Sequence, residues 1–200
     1  DPFQALKEKI SPFAHKHLHG MEVKEIMPWL RMAMKINPGD PAAGTVAAFW
    51  LATDCGRPDL AEKVLDETRR NAPGDYRVYL EQGRLFLKTG REDRAAKAFD
   101  IVIRLCSDDE LKDDSQVFLD LAEALTYRGL IHESKGDISS AVSAYKRVLR
   151  MFPDREGLRN RLAALSGGSE TEVKPADLWD DMLSRRRHVC DQEQDHDHDH

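Results

Sequence analysis

The chain has 200 residues, of which 40% are hydrophobic and 33% are charged. This composition predicts a soluble chain that buries a core and forms one domain or slightly more. Its longest apolar stretches, such as residues 45–52, are far shorter than the roughly 18 apolar residues that a membrane-spanning helix needs. A formal net charge of -6 argues against nucleic acid as a partner, because phosphate binding requires a basic surface.

Histidines cluster near the start of the chain, at His15, His17 and His19. On a helix, His15 and His19 lie four residues apart on one face, a spacing that suits two ligands of one zinc, nickel or copper ion. His17 then lies on another face. The same stretch is also typical of a polar helix end that binds no metal. The sequence leaves both interpretations of His15 and His19 open.

A spacing of 34 residues recurs in the central part of the chain. An alanine followed four residues later by a bulky residue returns first after 34 residues and then after 46: Ala61 and Leu65, Ala95 and Phe99, Ala141 and Tyr145. Gly83 and Gly129 are separated by the same 46 residues. One inserted segment of 12 residues therefore explains both of the longer spacings.

This period and its order of small and bulky positions resemble the tetratricopeptide repeat. Two repeats carry the pattern clearly, a first repeat is weaker because Phe49 stands where the others have glycine, and a degenerate unit with Leu30 and Pro38 precedes it. About four units then span residues 7–153. The resemblance implies an all-α fold, a right-handed α-solenoid of antiparallel helix pairs. It also implies close helix contacts at the small residues Ala61, Gly83, Ala95, Gly129 and Ala141.

The turn residues predict seven or eight helices at this spacing. A glycine stands where the first helix of each pair ends, at Gly56, Gly90 and Gly136, and polar residues follow it. Proline and glycine at residues 37–41 and 72–75 separate the units. The insertion falls around the acidic residues 106–114, where we expect a longer second helix or a longer loop after it.

The repeats are followed by a predicted capping helix over residues 155–165, with Leu158, Leu162 and Leu165 on its apolar side. A solenoid needs such a helix because its last repeat would otherwise expose an apolar face. The solenoid with this cap therefore covers residues 1–165.

Three shorter segments complete the predicted organisation. Residues 166–175 have the composition of a flexible linker. Residues 176–190 predict a short amphipathic helix whose stripe holds Leu178, Trp179, Met182 and Leu183. Being too short to fold alone, this helix docks either on its own solenoid or on a partner. Residues 191–200 form an acidic, histidine-rich tail.

The family resemblance also indicates a binding surface, because the first helix of each pair lines the inner surface of a tetratricopeptide solenoid. Arg84 and Lys88 lie in the middle of this predicted groove, and we expect their side chains to face solvent. Such a basic centre suits a protein or extended peptide partner of acidic character. An ordinary solvated helix face is the alternative. The resemblance implies these groove residues: Trp50, Asp54, Arg77, Glu81, Arg84, Lys88, Glu123, Tyr127 and Glu133.

The extreme C-terminus alternates aspartate with His196, His198 and His200. Imidazole and carboxylate groups bind transition metals, so this tail predicts loose zinc or nickel binding. A solvated acidic tail is the alternative. No required cofactor is predicted.

Residues 25–30, followed by residues 49–51, resemble a segment of membrane-anchored bacterial repeat proteins that carry histidine-rich stretches. That resemblance implies an anchor upstream of Asp1. It favours an exported or membrane-anchored location in a bacterium over a cytoplasmic one.

The sequence contains no GxSxG, HExxH, P-loop or dinucleotide-binding fingerprint, and no nucleophile has an evident base. It therefore predicts a protein that is not an enzyme. The leading hypothesis is a protein- or peptide-binding scaffold that uses the groove of the solenoid. The alternative is a metal-binding accessory protein that uses the histidine-rich segments, and an unrecognised enzyme is the third hypothesis.

Overall fold

The computed structural model describes residues 20–106, 115–169 and 171–188. This part of the chain contains nine helices and no strand, in agreement with the predicted all-α fold. The helices, in chain order, are α1 Gly20–Ile36, α2 Ala42–Thr53, α3 Pro58–Asn71, α4 Tyr76–Lys88, α5 Glu92–Leu105, α6 Ser115–Ser134, α7 Ile138–Met151, α8 Glu156–Ser166 and α9 Pro175–His188.

Three helix pairs form the body of the solenoid: α2 with α3, α4 with α5, and α6 with α7. Successive pairs stack, since α3 packs on α4 and α5 packs on α6. Helix α1 packs on α2 before the first pair, and α8 packs on α7 after the last. Within the described residues, no helix combines the length and the apolar character that a bilayer crossing requires.

The turn inside each pair uses a glycine in the left-handed region. Gly56, Gly90 and Gly136 have φ angles of 60°, 69° and 76°, which glycine adopts without steric cost. In the second pair the Arg91 N–H donates to the Phe86 carbonyl at 2.8 Å and closes the turn. These glycines end the first helix of each pair, as the sequence predicts.

Small residues allow the two helices of a pair to approach closely. Ala61, Ala95 and Ala141 are completely buried, which confirms the predicted contact positions. A Cβ atom added to Gly83 would lie 2.5 Å from Cε1 of Phe99, too close for a real contact. A Cβ atom added to Gly129 would meet the ring of Tyr145 in the same way. The first pair differs, because its close approach is made by Gly44 against Thr68.

The core consists of two clusters that meet at α4. Val78 and Leu85 of α4 join the cluster of the first pair, which also contains Leu65. Leu80 and Phe86 of α4 join the larger cluster that runs through the second and third pairs. Helix α4 therefore connects the weaker first repeat to the rest of the solenoid.

The inserted segment extends the first helix of the third pair. Helix α6 has 20 residues, whereas α4 has 13. Helices α3, α5 and α7 all have 14 residues, so the insertion does not lengthen a second helix. The alternative prediction, a longer loop after that helix, concerns residues outside the described part of the chain. The added turns of α6 have contacts of their own, because Tyr76 Oη donates to Asp120 at 3.0 Å and the rings of Phe118 and Phe152 lie 5.2 Å apart. The rest of the insertion, residues 107–114, lies outside the described residues.

Helix α8 ends in the same way as the first helix of a pair. Gly168 has a φ of 71°, and the Ser169 N–H donates to the Ala164 carbonyl at 2.9 Å. A second helix packed on α8 would be expected after such a turn. Instead, the chain crosses to α4 and α6, where α9 packs.

Candidate binding surface

The first helices of the three pairs form one continuous surface, which we call the inner surface. Helix α2 packs against α4, and an ion pair between Arg84 and Glu123 joins α4 to α6. A second ion pair, between Glu133 and Arg161, joins α6 to α8. Side chains on successive first helices can therefore contact one ligand.

Arg84 lies in the middle of this surface but is bound by two glutamates. Its Nε and Nη2 atoms donate to the Glu123 carboxylate at 2.9 and 2.5 Å, and its Nη1 donates to Glu81 at 3.1 Å. Burial disfavours the guanidinium charge, but the two carboxylates outweigh this effect and raise the pKa of Arg84. Only 12% of its side chain is exposed, so the prediction that Arg84 faces solvent is wrong.

Four other predicted groove residues, on or next to α2 and α4, are exposed or half-buried. Lys88 is exposed and donates to the Ala52 carbonyl at 2.9 Å. Arg77 is exposed and pairs with Asp75 at 2.6 Å. Trp50 is half-buried, and its ring lies 5.7 Å from that of Phe49. Asp54 is exposed and accepts a hydrogen bond from Thr53 at the end of α2.

Tyr127 and Glu133 are not available on the groove surface, where the family resemblance places them. Tyr127 is completely buried and stacks on Phe99 with the ring centroids 5.1 Å apart, so it belongs to the core. Glu133 accepts from Arg161 at 2.7 and 2.8 Å and from the Tyr145 hydroxyl at 2.8 Å. Burial, with the negative charge of Glu133, raises the pKa of Tyr145. Glu133 is thus held inside the junction between α6 and α8.

A cavity of about 240 Å³ opens on the inner surface between α2 and α4. Its apolar wall includes Phe49, Ala52 and Leu85, and Lys88 lies at its edge. Phe49 is absent from the predicted groove residues. Its large ring at the position where the other repeats have Gly83 and Gly129 is the sequence signal that could have identified it.

Helix α9 covers the inner surface next to this cavity. It packs on α6 and on α4, and Trp179 joins the larger core cluster with only 6% of its surface exposed. Leu178, Met182 and Leu183 are partly buried against the same cluster. The predicted apolar stripe therefore docks on the solenoid of its own chain.

The segment that leads to α9 is fixed by the ion pair between Glu133 and Arg161. The Thr171 hydroxyl donates to Glu133 at 3.0 Å, and Nη1 of Arg161 donates to the Val173 carbonyl at 2.9 Å. The side chains of Glu133 and Arg161 are 5% and 8% exposed. A buried, fully bonded pair thus directs the chain from α8 towards the inner surface.

A second cavity, of about 540 Å³, lies on the other side of α9. Leu178 and Met182 of α9 line it together with Thr126 and Leu130 of α6 and Leu158 of α8. Helix α9 therefore occupies the middle of the inner surface and leaves space on both sides.

The predicted metal ligands His15, His19, His196, His198 and His200 all lie outside the described residues. Among the residues that are described, no group of three or more histidine, cysteine, aspartate or glutamate side chains could hold a metal ion. Zinc or nickel binding by the histidine-rich segments stays a prediction.

Two family models, both described as tetratricopeptide repeat, match residues 46–110 and 123–155. The chain therefore contains tetratricopeptide repeats. The first match covers most of the first two helix pairs, and the second begins within α6, beyond the added turns, and includes α7. The comparisons with curated proteins and with solved structures gave no match.

Tetratricopeptide repeats are protein-interaction scaffolds, and the family is typically non-catalytic. Three tetratricopeptide pairs in this chain supply the inner surface through α2, α4 and α6. Helices α8 and α9 lie outside both matched ranges. The helix that covers the inner surface is therefore an addition to the repeats.

Proposed function

We propose that this scaffold binds a protein partner at its inner surface, with the cavity between α2 and α4 as the recognition centre. The cavity supports this proposal because it combines an apolar wall, Phe49, Ala52 and Leu85, with a charged group, Lys88, at its edge. Apolar pockets with a few polar groups at the edge are typical sites for an anchoring side chain.

The charges of the inner surface favour recognition through apolar contacts. The positive charge of Arg84 is already matched by Glu81 and Glu123, at distances of 3.1 and 2.5 Å. An acidic peptide would have to compete with these two carboxylates. A protein segment that inserts an apolar side chain beside Phe49 fits the surface better than one that is selected for its acidity.

A photoreactive amino acid placed at Ala52 tests this proposal in cells of the source organism. We expect it to crosslink a partner protein, because Ala52 lines the cavity. The same amino acid at Ala163, which is exposed on α8 and lies outside both cavities, is the matched control and should not crosslink that partner.

A cavity-filling variant gives a quantitative check. Ala52→Trp should weaken partner binding at least about tenfold, equivalent to ~1.4 kcal/mol, because the indole occupies the space for the anchor. Ala163→Trp should leave binding unchanged, and both variants should keep the wild-type circular dichroism spectrum. Equal crosslinking at the two positions, or full binding by Ala52→Trp, would show that the cavity is not the recognition centre.

A further inference from the structure

We infer that the inner surface over α4 and α6 is a site for an amphipathic helix of a protein partner, which displaces α9 from it. This inference rests on the proposed function and extends it by naming the chemistry of the partner. The partner helix resembles α9 itself in carrying an aromatic residue beside aliphatic residues on one face. Helix α9 is then an internal competitor for that site.

The apolar stripe of α9 defines the chemistry that fits this surface. Leu178, Trp179, Met182 and Leu183 follow each other at helical spacing, and Trp179 is the most deeply buried of them. A helix that lays such a stripe into an apolar groove is a common mode of peptide recognition. An aromatic anchor with aliphatic neighbours is therefore what the partner must supply.

The described polar side chains of α9 do not fix it to the surface. Among its described side chains, hydrogen bonds and ion pairs stay within the helix: Arg185 pairs with Asp181 at 2.7 Å, and Ser184 donates to the Asp181 carbonyl at 2.8 Å. The docking of these residues is thus apolar. An apolar contact of this kind depends on the shape of the side chains in the stripe. A second helix that carries a similar apolar stripe can therefore replace α9.

The two cavities beside α9 give a partner helix contacts that α9 lacks. Leu183 of α9 borders the cavity of about 240 Å³, and Leu178 and Met182 border the cavity of about 540 Å³. Protein interiors are normally packed without such spaces. A partner helix with longer apolar side chains fills more of this volume and gains free energy over α9.

The covalent connection makes α9 an effective competitor in spite of its incomplete packing. Because α9 stays covalently linked to α8, its effective concentration at the docking site after release is on the order of 1 mM. A free helix of 14 residues is marginally stable in water, so displaced α9 loses its helical structure. The intact chain should therefore bind a partner helix more weakly than a chain whose α9 is undocked.

The test uses the full chain and a fluorescein-labelled peptide of residues 174–188 as the partner helix, with fluorescence anisotropy as the measurement. We expect the full-length variant Trp179→Ala to bind this peptide at least about tenfold more tightly than the wild-type chain does, because its own α9 competes poorly. A labelled peptide with the same Trp-to-Ala change should bind neither chain.

A second full-length chain, with a protease site inserted in residues 168–171, keeps the test valid if Trp179→Ala does not fold. After cleavage and removal of the C-terminal fragment, this chain should bind the peptide at least about tenfold more tightly than before. Equal affinity before and after cleavage overturns the inference but leaves the proposed function, which the crosslinking at Ala52 tests separately.

Absence of peptide binding by both chains also overturns the inference. So does a concentration-dependent dimer of the wild-type chain that cleavage abolishes, because the occupant would then be a second copy.

Discussion

The contact between Gly83 and Phe99 shows how one small residue sets the distance between two helices. The Phe99 ring is completely buried and stacks on Tyr127, so it cannot move away from a larger residue 83. Gly129 and Tyr145 repeat this contact in the third pair. The sequence predicts both contacts because the spacing of small and bulky residues follows directly from the helix geometry.

The first prediction concerns Gly83→Leu. We expect this change to lower the free energy of unfolding by about 1 to 3 kcal/mol, although leucine forms helices better than glycine, because the added side chain meets the Phe99 ring. Gly74→Leu is the matched control, since nothing lies within 4 Å of a Cβ at that position. Thermal melts followed by circular dichroism measure both. Equal melting temperatures for the two variants would contradict the packing described for Gly83.

The groove residues show what the sequence cannot predict at this scale. Glu81 and Tyr127 occupy equivalent positions, and the repeat pattern correctly groups them, but both side chains are buried rather than offered to a ligand. The partner of Arg84 is Glu123, 39 residues away on the next first helix. Such a pairing depends on how two repeats stack on each other, which the spacing of small and bulky residues within one pair does not specify.

At the scale of helices, α8 and α9 depart most from a regular repeat. The sequence predicts a capping helix, a linker and a short amphipathic helix, and the structure forms helices at Glu156–Ser166 and Pro175–His188. It leaves the docking site of the last helix open, because an apolar stripe does not specify the surface that it covers. The buried contacts of Arg161 with Glu133 and Val173 settle that question in the structure.

The second prediction concerns Arg161→Ala. We expect it to destabilise the chain by about 3 kcal/mol, because it leaves the Glu133 carboxylate buried without its cationic partner. The loss of the hydrogen bond to the Val173 carbonyl should also speed amide hydrogen exchange in α9. Arg159→Ala, which removes an exposed arginine from the same helix, is the control and should change neither quantity. Unchanged exchange in α9 would contradict the role of Arg161 in directing the linker.

At the scale of the whole molecule, the 34-residue spacing and its order of small and bulky residues resemble the tetratricopeptide repeat, and this resemblance implies a helical solenoid. It does not predict that the inner surface is partly covered. That outcome depends on Trp179, whose burial requires both α4 and α6 to be correctly placed beforehand. The cavity beside Phe49 likewise results from the mutual arrangement of four helices, α2, α3, α4 and α9, which no single segment of the sequence encodes.

The third prediction concerns the histidine-rich tail. Deleting residues 195–200 should remove most of the zinc or nickel binding measured by calorimetry, because this segment holds three of the five predicted ligands. The melting temperature should remain unchanged, since a polar tail adds nothing to the core. A control deletion of residues 191–194 keeps all of these histidines and should keep metal binding. A sharp drop in melting temperature, or unfolding by a chelator, would instead indicate a structural metal.

Helix α9 also has a mechanical consequence for the array. Solenoids flex like springs, because each repeat contacts only its immediate neighbours. By resting on α4 and α6 together, α9 acts as a strut across the junction between the second and third pairs. Release of α9 would make that junction more flexible, so that the curvature of the array could change. A ligand that removes the strut would thereby alter the spacing at which the remaining repeats present their own surfaces.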